Sequence, residues 1–307
     1  MDAILTSEQV RSAVSLADAI DAVRDGFIRL TRGEFELPTR TVLGEGRFLV
    51  MSVRHAPTES LIVKTLSLNF GARTPAILGT VTWAEVGSSR QVVADANAVT
   101  RLRTAAASGV ATDLLARADA SALAMIGAGA QAVDQVRAVD IVRPLTSLTI
   151  VDRSVERARA LAASLQADFP GFDIAVSDDA VSAVAEADIV NCATTSQSPL
   201  FPLEALRPDV HVNAIGAFRP EMRELPDELL ADAGTVYIDE LESILEESGE
   251  IIHALEAGAI TQSSLVEIGR ALVDGSVERS GRTVFKTVGI AVQDWVIARL
   301  LVERAAV

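Results

Sequence analysis

The chain has 307 residues, enough for about two domains of ordinary size. It carries 27 basic against 42 acidic side chains, a net charge of −15, which argues against nucleic acid and anionic membrane surfaces as partners, since both are held by clustered Lys and Arg. The 49% hydrophobic content excludes a disordered chain and points to apolar surface hidden at a subunit interface, while 4% aromatics leave no stacking platform for single strands.

Residues 15–31 read as a helix. Ser15 can cap it, and Ala19, Val23 and Phe27 recur at helical spacing with Ile20 and Leu30 beside them. Short apolar runs at Phe48–Val53, Leu61–Leu66 and Ile77–Trp83 then predict strands separated by turns, followed by a small-residue helix over about Ala98–Arg117. From Ala120 onward strands and helices alternate. Strands are expected at Ala122–Ile126, Leu148–Val151, Asp173–Val176, Ile189–Ala193, Val210–Ile215 and Thr235–Ile238, with helices to about Val142 and over Val155–Asp168. This alternation argues for a parallel, doubly wound sheet. Thr283–Lys286 then leads to a C-terminal helix, Ile290–Arg304, read as returning to the first domain. The expected fold is therefore α/β: a Rossmann-type sheet (residues 118–285) inserted in a discontinuous α+β domain (residues 1–117 with 286–307).

The lone cysteine, Cys192, rules out an internal disulfide framework and a cysteine metal cluster. His55, His211 and His253 are scattered without ligand spacing, so no metal site is expected. Residues 1–8 lack the basic start and apolar run of a secretory leader, and the stretch Ser121–Val133 is too short to span a bilayer. A cytoplasmic protein is the expectation.

Gly127-Ala128-Gly129-Ala130-Gln131-Ala132 forms a G-x-G-x-x-A fingerprint between a predicted strand and a predicted helix. Gly127 permits the tight turn, Gly129 lets a pyrophosphate approach the backbone, and Ala132 lets the helix pack close to its strand. The helix start offers free N–H groups to the phosphates. The second strand ends at Asp152, about 20 residues on, where a carboxylate can accept both ribose hydroxyls of the adenosine half. Its charge would repel a 2′-phosphate, which favours NAD(H). Arg153 and Arg157 follow closely and could neutralise that phosphate, so NADP(H) stays open.

Four stretches resemble the ornithine cyclodeaminase/mu-crystallin family: Pro38-Thr39-Arg40-Thr41-Val42, Arg103-Thr104-Ala105-Ala106-Ala107-Ser108, the glycine fingerprint, and the segment from Asn213 to Leu225. Lys64 stands at the expected point between the first two, and Ser248-Gly249-Glu250 and Val284–Gly289 extend the similarity over nearly the whole chain. The resemblance implies an NAD(P)-binding domain inserted in a dimerising domain, with Arg40, Lys64 and Arg103 holding a substrate carboxylate beside the nicotinamide. It implies Thr104 and Thr194 as cofactor contacts, and Ile215 in the fourth stretch joins them. The residues support this in part. Arg103 lies in an apolar helix and Lys64 interrupts a strand of Ile62, Val63 and Leu66, and each needs a partner there. Arg40 could simply be solvated.

Phe218 occupies the position where ornithine cyclodeaminases proper resemble one another in carrying an acidic base, and a phenyl ring moves no proton. The segment is more similar to the family's ketimine reductases. The leading expectation is NAD(P)H-dependent reduction of a cyclic imino acid, of the pyrroline-2-carboxylate or piperideine-2-carboxylate type, by a homodimer. The alternatives are redox-neutral cyclodeamination of ornithine, an alanine-type amino-acid dehydrogenase, and a cofactor-binding crystallin-like protein without turnover.

Overall fold

The structure, a computed structural model, describes residues 3–69, 77–89, 91–275, 277, 279 and 281–304. The chain divides into two compact units, residues 1–107 with 290–307, and residues 108–289.

The first unit opens with strand β1 (Ala3–Leu5) and helix α1 (Ser7–Ala13), whose start is a capping box between Thr6 and Gln9. Helix α2 (Leu16–Thr31) begins where the sequence predicts it, with the Ser15 hydroxyl accepting from the Asp18 N–H at 3.1 Å. Its apolar stripe Ala19, Ile20, Val23 and Phe27 is buried. Strands β2 (Phe35–Glu36), β3 (Thr41–Leu43), β4 (Phe48–His55), β5 (Ser60–Leu68), β6 (Ile77–Glu85) and β7 (Val92–Asp95) follow. Among the described residues they form a sheet in the order β1-β7-β6-β5-β4-β2, with β3 on β4, antiparallel except for β1 against β7. Helix α3 (Ala96–Leu115) carries the small residues Ala105, Ala106 and Ala107, all buried.

The second unit alternates strands and helices: β8 (Ala122–Ile126), α4 (Ala132–Val142), β9 (Ser147–Val151), α5 (Val155–Asp168), β10 (Asp173–Ser177), α6 (Ala180–Ala185), β11 (Ile189–Cys192), β12 (His211–Ala214), α7 (Asp227–Ala233), β13 (Val236–Ile238), α8 (Leu241–Glu247), α9 (Gly249–Glu256), β14 (Leu265–Glu267), α10 (Ile268–Asp274) and β15 (Thr283–Lys286). All pair in parallel, in the order β10-β9-β8-β11-β12-β15-β13-β14. Both faces are covered, and the two-residue period sorts the core. Leu123, Met125 and Ile150 pack beneath α4 and α5, whereas Ala124, Ile126, Val190 and Val212 pack on the other face. The strand order reverses between β8 and β11, and the carboxyl ends there bound the crevice typical of doubly wound sheets.

Helix α11 (Ala291–Arg304) belongs to the first unit and packs on β4, β5, β6 and α2. Gly26 in α2 admits it, because a Cβ there would lie 2.7 Å from Val296. Trp295 is fully buried against His55 and Phe35, and its indole N–H donates to the Ser60 hydroxyl at 3.0 Å. No helix among the described residues is long and apolar enough to cross a membrane.

Candidate functional site

The glycine fingerprint lies in the turn from β8 to α4. Gly127 adopts φ +103°, and a Cβ there would sit 2.5 Å from the Ala193 carbonyl, so only glycine lets this turn lie against the one after β11. Gly129 is exposed, and a Cβ on it would meet nothing within 4 Å. The open side of that backbone is the approach a pyrophosphate needs. Ala130 is exposed beside it, Gln131 stands at the N-cap of α4 without a side-chain cap, and Ala132 is fully buried against the sheet. The N–H groups and positive dipole end of α4 are thus offered to an anion.

Asp152 follows directly on β9 and is nearly buried. Its Oδ2 accepts from the Ala128 N–H at 2.8 Å, and its Oδ1 accepts from the Ser154 N–H and the Arg157 guanidinium, each at 2.8 Å. Burial works against its charge, but the Ser154 and Ala128 N–H groups and Arg157 outweigh it and hold the carboxyl below its usual range. It is therefore ionised near neutrality and locked to the glycine turn. Arg157 pairs with Asp152, and both Arg157 and Arg153 are exposed. The open backbone at Gly129, the uncapped helix start and the anchored carboxylate fit a dinucleotide.

On the other side of the switch point stand Thr194, after β11, and Ile215, after β12. The Thr194 hydroxyl donates to Glu224 Oε1 at 2.9 Å and accepts from the Ser196 N–H at 3.2 Å. Ile215 is nearly buried, its N–H donating to the Cys192 carbonyl at 2.9 Å. Phe218 is half-buried against the core of this unit, with the Arg219 guanidinium 5.6 Å from its ring centre.

The first unit holds a buried charge cluster. Lys64, on the inner face of β5, is fully buried, and its Nζ donates to Asp294 Oδ1 at 2.8 Å and to the Thr100 hydroxyl at 2.7 Å. Arg103, on α3, donates to Gln293 Oε1 at 2.8 Å and brings its Nε to 3.6 Å from the same Asp294 oxygen. Asp294 Oδ2 has no hydrogen-bond partner among the described residues. Burial pulls the Lys64 pKa down to about 8; Asp294 opposes the shift, while Arg103 and Arg40 add to it. Arg40, half-buried ahead of β3, is therefore within electrostatic reach of Lys64. Thr104 is buried next to Arg103. The structure thus brings Lys64 and Arg103 together around a single carboxylate, Asp294, with Arg40 within electrostatic reach of Lys64. An excess of positive charge in a buried setting suits an anionic ligand.

Asp294, Gln293, Thr100 and Glu224 escaped the sequence reading. Gln293 and Asp294 interrupt the apolar run Ile290–Ala298 at the start of α11, and that anomaly was the available signal. Glu224 lay inside a recognised stretch without a role.

Residues 1–307 match the ornithine cyclodeaminase/mu-crystallin family. The ketimine reductase mu-crystallin of Mus musculus is 31% identical over 313 residues, covering 98% of this chain and 96% of its own length. A delta(1)-pyrroline-2-carboxylate reductase of Bacillus cereus is 39% identical over 216 residues, covering 67% of this chain and 64% of the relative, so the match spans just under two thirds of that protein. The structure of Thermococcus litoralis delta(1)-pyrroline-2-carboxylate reductase in complex with NADH and L-proline superimposes with a TM-score of 0.91 at 28% identity, covering 98% of this chain and 97% of that one. The geometry and these similarities lead to one conclusion: the chain belongs to the ornithine cyclodeaminase/mu-crystallin family.

Proposed function

We propose that the protein reduces a cyclic imino acid, of the pyrroline-2-carboxylate or piperideine-2-carboxylate class, to the cyclic amino acid with NAD(P)H. The observation that carries this reading is the buried pair of Lys64 and Arg103 on the one carboxylate of Asp294, with half-buried Arg40 within electrostatic reach of Lys64. Dinucleotide binding alone requires none of these three. Arg40, Arg103 and Lys64 grip the substrate carboxylate by charge-assisted hydrogen bonds. Lys64, whose pKa of about 8 leaves it charged yet able to release a proton near neutrality, donates to the imine nitrogen or positions a donor water. The dinucleotide supplies the hydride to the C=N carbon when bound. Thr104 and Thr194 are assigned to the cofactor side with Gly127, Ala128, Gly129, Ala130, Gln131, Asp152, Arg153 and Ile215. NAD(H) is favoured over NADP(H), because Asp152 is charged where a 2′-phosphate would lie and Arg157 is already paired with it.

Residues 1–117 with 286–307 serve as the substrate and dimerisation domain in this reading, and residues 118–285 as the dinucleotide domain. A homodimer through the first sheet is part of it. The outer face of β4, β5 and β6 presents Phe48, Val50, Val63, Thr65, Leu78, Thr80 and Thr82, with charge only towards the end that carries Arg54. The interface is assigned to residues 40–95, of which 70–76 and 90 lie outside the described residues. The activity is assigned to the cytoplasm, where the lone buried thiol of Cys192 needs no partner.

The test is a panel of cyclic imines with NADH or NADPH, set against ornithine with NAD and an ammonia assay. Reduced cofactor should be consumed with an imine, and ornithine should release no ammonia, because Phe218 supplies no base. Arg103→Ala should abolish turnover and leave NADH binding intact. Ammonia release matching or exceeding imine reduction would replace this reading with cyclodeamination.

A further inference from the structure

One carboxylate that none of the chemistry above uses holds together the two loops on the far side of the switch point. Glu224 is fully buried. Its Oε1 accepts from the Thr194 N–H at 2.6 Å and the Thr194 hydroxyl at 2.9 Å, and its Oε2 accepts from the Gly216 N–H at 2.7 Å and the Ala217 N–H at 3.1 Å. Four donors from the loops after β11 and β12 thus converge on one side chain. Gly216 makes room for this, since a Cβ there would overlap the Thr194 backbone and meet Glu224 Oε1 at 2.6 Å. Around Glu224 the main chain is also laid on the first loop: the Arg223 N–H donates to the Ser196 carbonyl at 2.8 Å, and the Leu200 N–H to the Glu224 carbonyl at 2.9 Å.

Part of the Glu224 charge is offset from behind, one ammonium standing against two carboxylates. Lys286, fully buried on β15, donates to the Ala217 carbonyl at 2.5 Å and lies 2.8 Å from Glu250 Oε1, itself fully buried in the first turn of α9. An acid–base–acid group sealed from water is expensive to assemble, and a fold that only needed to join two loops could do so with neutral contacts. A buried carboxylate with four donors fixes loop position more tightly than any neutral residue could.

We propose that Glu224, backed by Lys286 and Glu250, is a positioning residue for the nicotinamide half of the dinucleotide. The inference rests on the dinucleotide-binding part of the reading above. A doubly wound sheet takes a dinucleotide as two mononucleotide halves, and Asp152 assigns the adenosine half to the β8–β9 side. The loops after β11 and β12 are left for the other half, and Glu224 presets them.

The test compares NADH, which spans both halves, with ADP, which stops at the pyrophosphate. Glu224→Gln keeps the shape but turns an NH2 group towards N–H donors, so at least one loop loses its acceptor. NADH affinity measured by fluorescence should fall about tenfold or more, with ADP affinity by calorimetry within about twofold of wild type. Equal losses for both ligands would reduce Glu224 to a general structural residue and overturn the proposal, and so would no loss for either. Hydrogen exchange on the wild type gives an answer even if the variant fails to fold. NADH should slow exchange in residues 193–197 and 215–218 more than ADP does, and equal protection by the two ligands would overturn the proposal. A wild type that binds neither NADH nor NADPH would instead refute the dinucleotide reading itself.

Discussion

Lys64 has one carboxylate, Asp294, at 2.8 Å, and no exposure to water. Burial lowers its pKa from 10.5 to about 8, Asp294 opposes the shift, and Arg103 and Arg40 reinforce it. The ammonium is therefore present below about pH 8 and lost as pH rises through that value, and with it part of the grip on an anionic substrate. kcat/KM for imine reduction should fall along this limb. Asp294→Asn removes the charge that favours the ammonium, so the limb should move to lower pH. Measuring both proteins with the same imine cancels the substrate's own ionisation, and coincident limbs would show that Lys64 is not the titrating group. Asp152 makes a second prediction. Asp152→Ser should weaken NADH binding by about 1.5–3 kcal/mol, the worth of hydrogen bonds to a charged group. NADPH should lose less, because the repulsion goes and Arg157 is released. An unchanged NADH to NADPH affinity ratio in titration would exclude Asp152 as the ribose anchor.

A buried polar ladder ties strands to helices in the parallel sheet. His211 on β12 lies 2.9 Å from the Thr283 hydroxyl on β15 and 3.1 Å from Asn213 Oδ1. The Asn213 amide donates to the Thr112 hydroxyl on α3 at 3.0 Å and to Asn191 on β11 at 2.8 Å, and Asn191 donates to Gln135 on α4 at 3.1 Å. Burial lowers the His211 pKa from 6.5 to about 4. Above pH 6.5 the imidazole is neutral in both folded and unfolded chains and adds no pH dependence. Below it the unfolded chain takes up a proton that the folded one refuses until about pH 4, so stability falls across that window, by at most about 3 kcal/mol. Urea midpoints should drop between about pH 7 and about pH 5, and His211→Asn should lose part of the drop. Identical pH slopes in the two proteins would show that the ladder does not carry this effect.

The outer face of β4, β5 and β6, uncharged except at the Arg54 end, is wide enough to need covering in a chain of strongly acidic net charge. In a twofold dimer the patch meets its own copy, so one substitution enters the interface twice. Thr80 is exposed on this face, in register with Thr65 on the central strand β5 and, one strand further, Val50. Thr80→Lys should therefore convert the wild-type dimer to a monomer, read as a halved mass by light scattering at micromolar concentration, without loss of secondary structure. A wild type that is already monomeric would refute the dimer.

Local pattern alone located most of the framework: the Ser15 cap and buried stripe of α2, the strand–glycine–helix passage at Gly127, the carboxylate ending β9, and the alternation that implies a parallel sheet. Each is a signal between residues close along the chain, where period and capping chemistry operate. Elements too short to show a period went unread: β1, β2, β3, β7 and β14, and the helices α1 and α6 to α10. So did the insertion of β15 between β12 and β13, which is a matter of pairing rather than pattern. Lys64 and Arg103 could be singled out as charges in apolar surroundings, yet the carboxylate that compensates them comes from 230 residues further along the chain than Lys64. Glu224 shows the same limit over a shorter distance. Its residue type is ordinary for a loop, and only folding buries it and brings the Thr194, Gly216 and Ala217 N–H groups to its oxygens. A buried charge must find its partner in space, and chain proximity carries no information about which residue that will be.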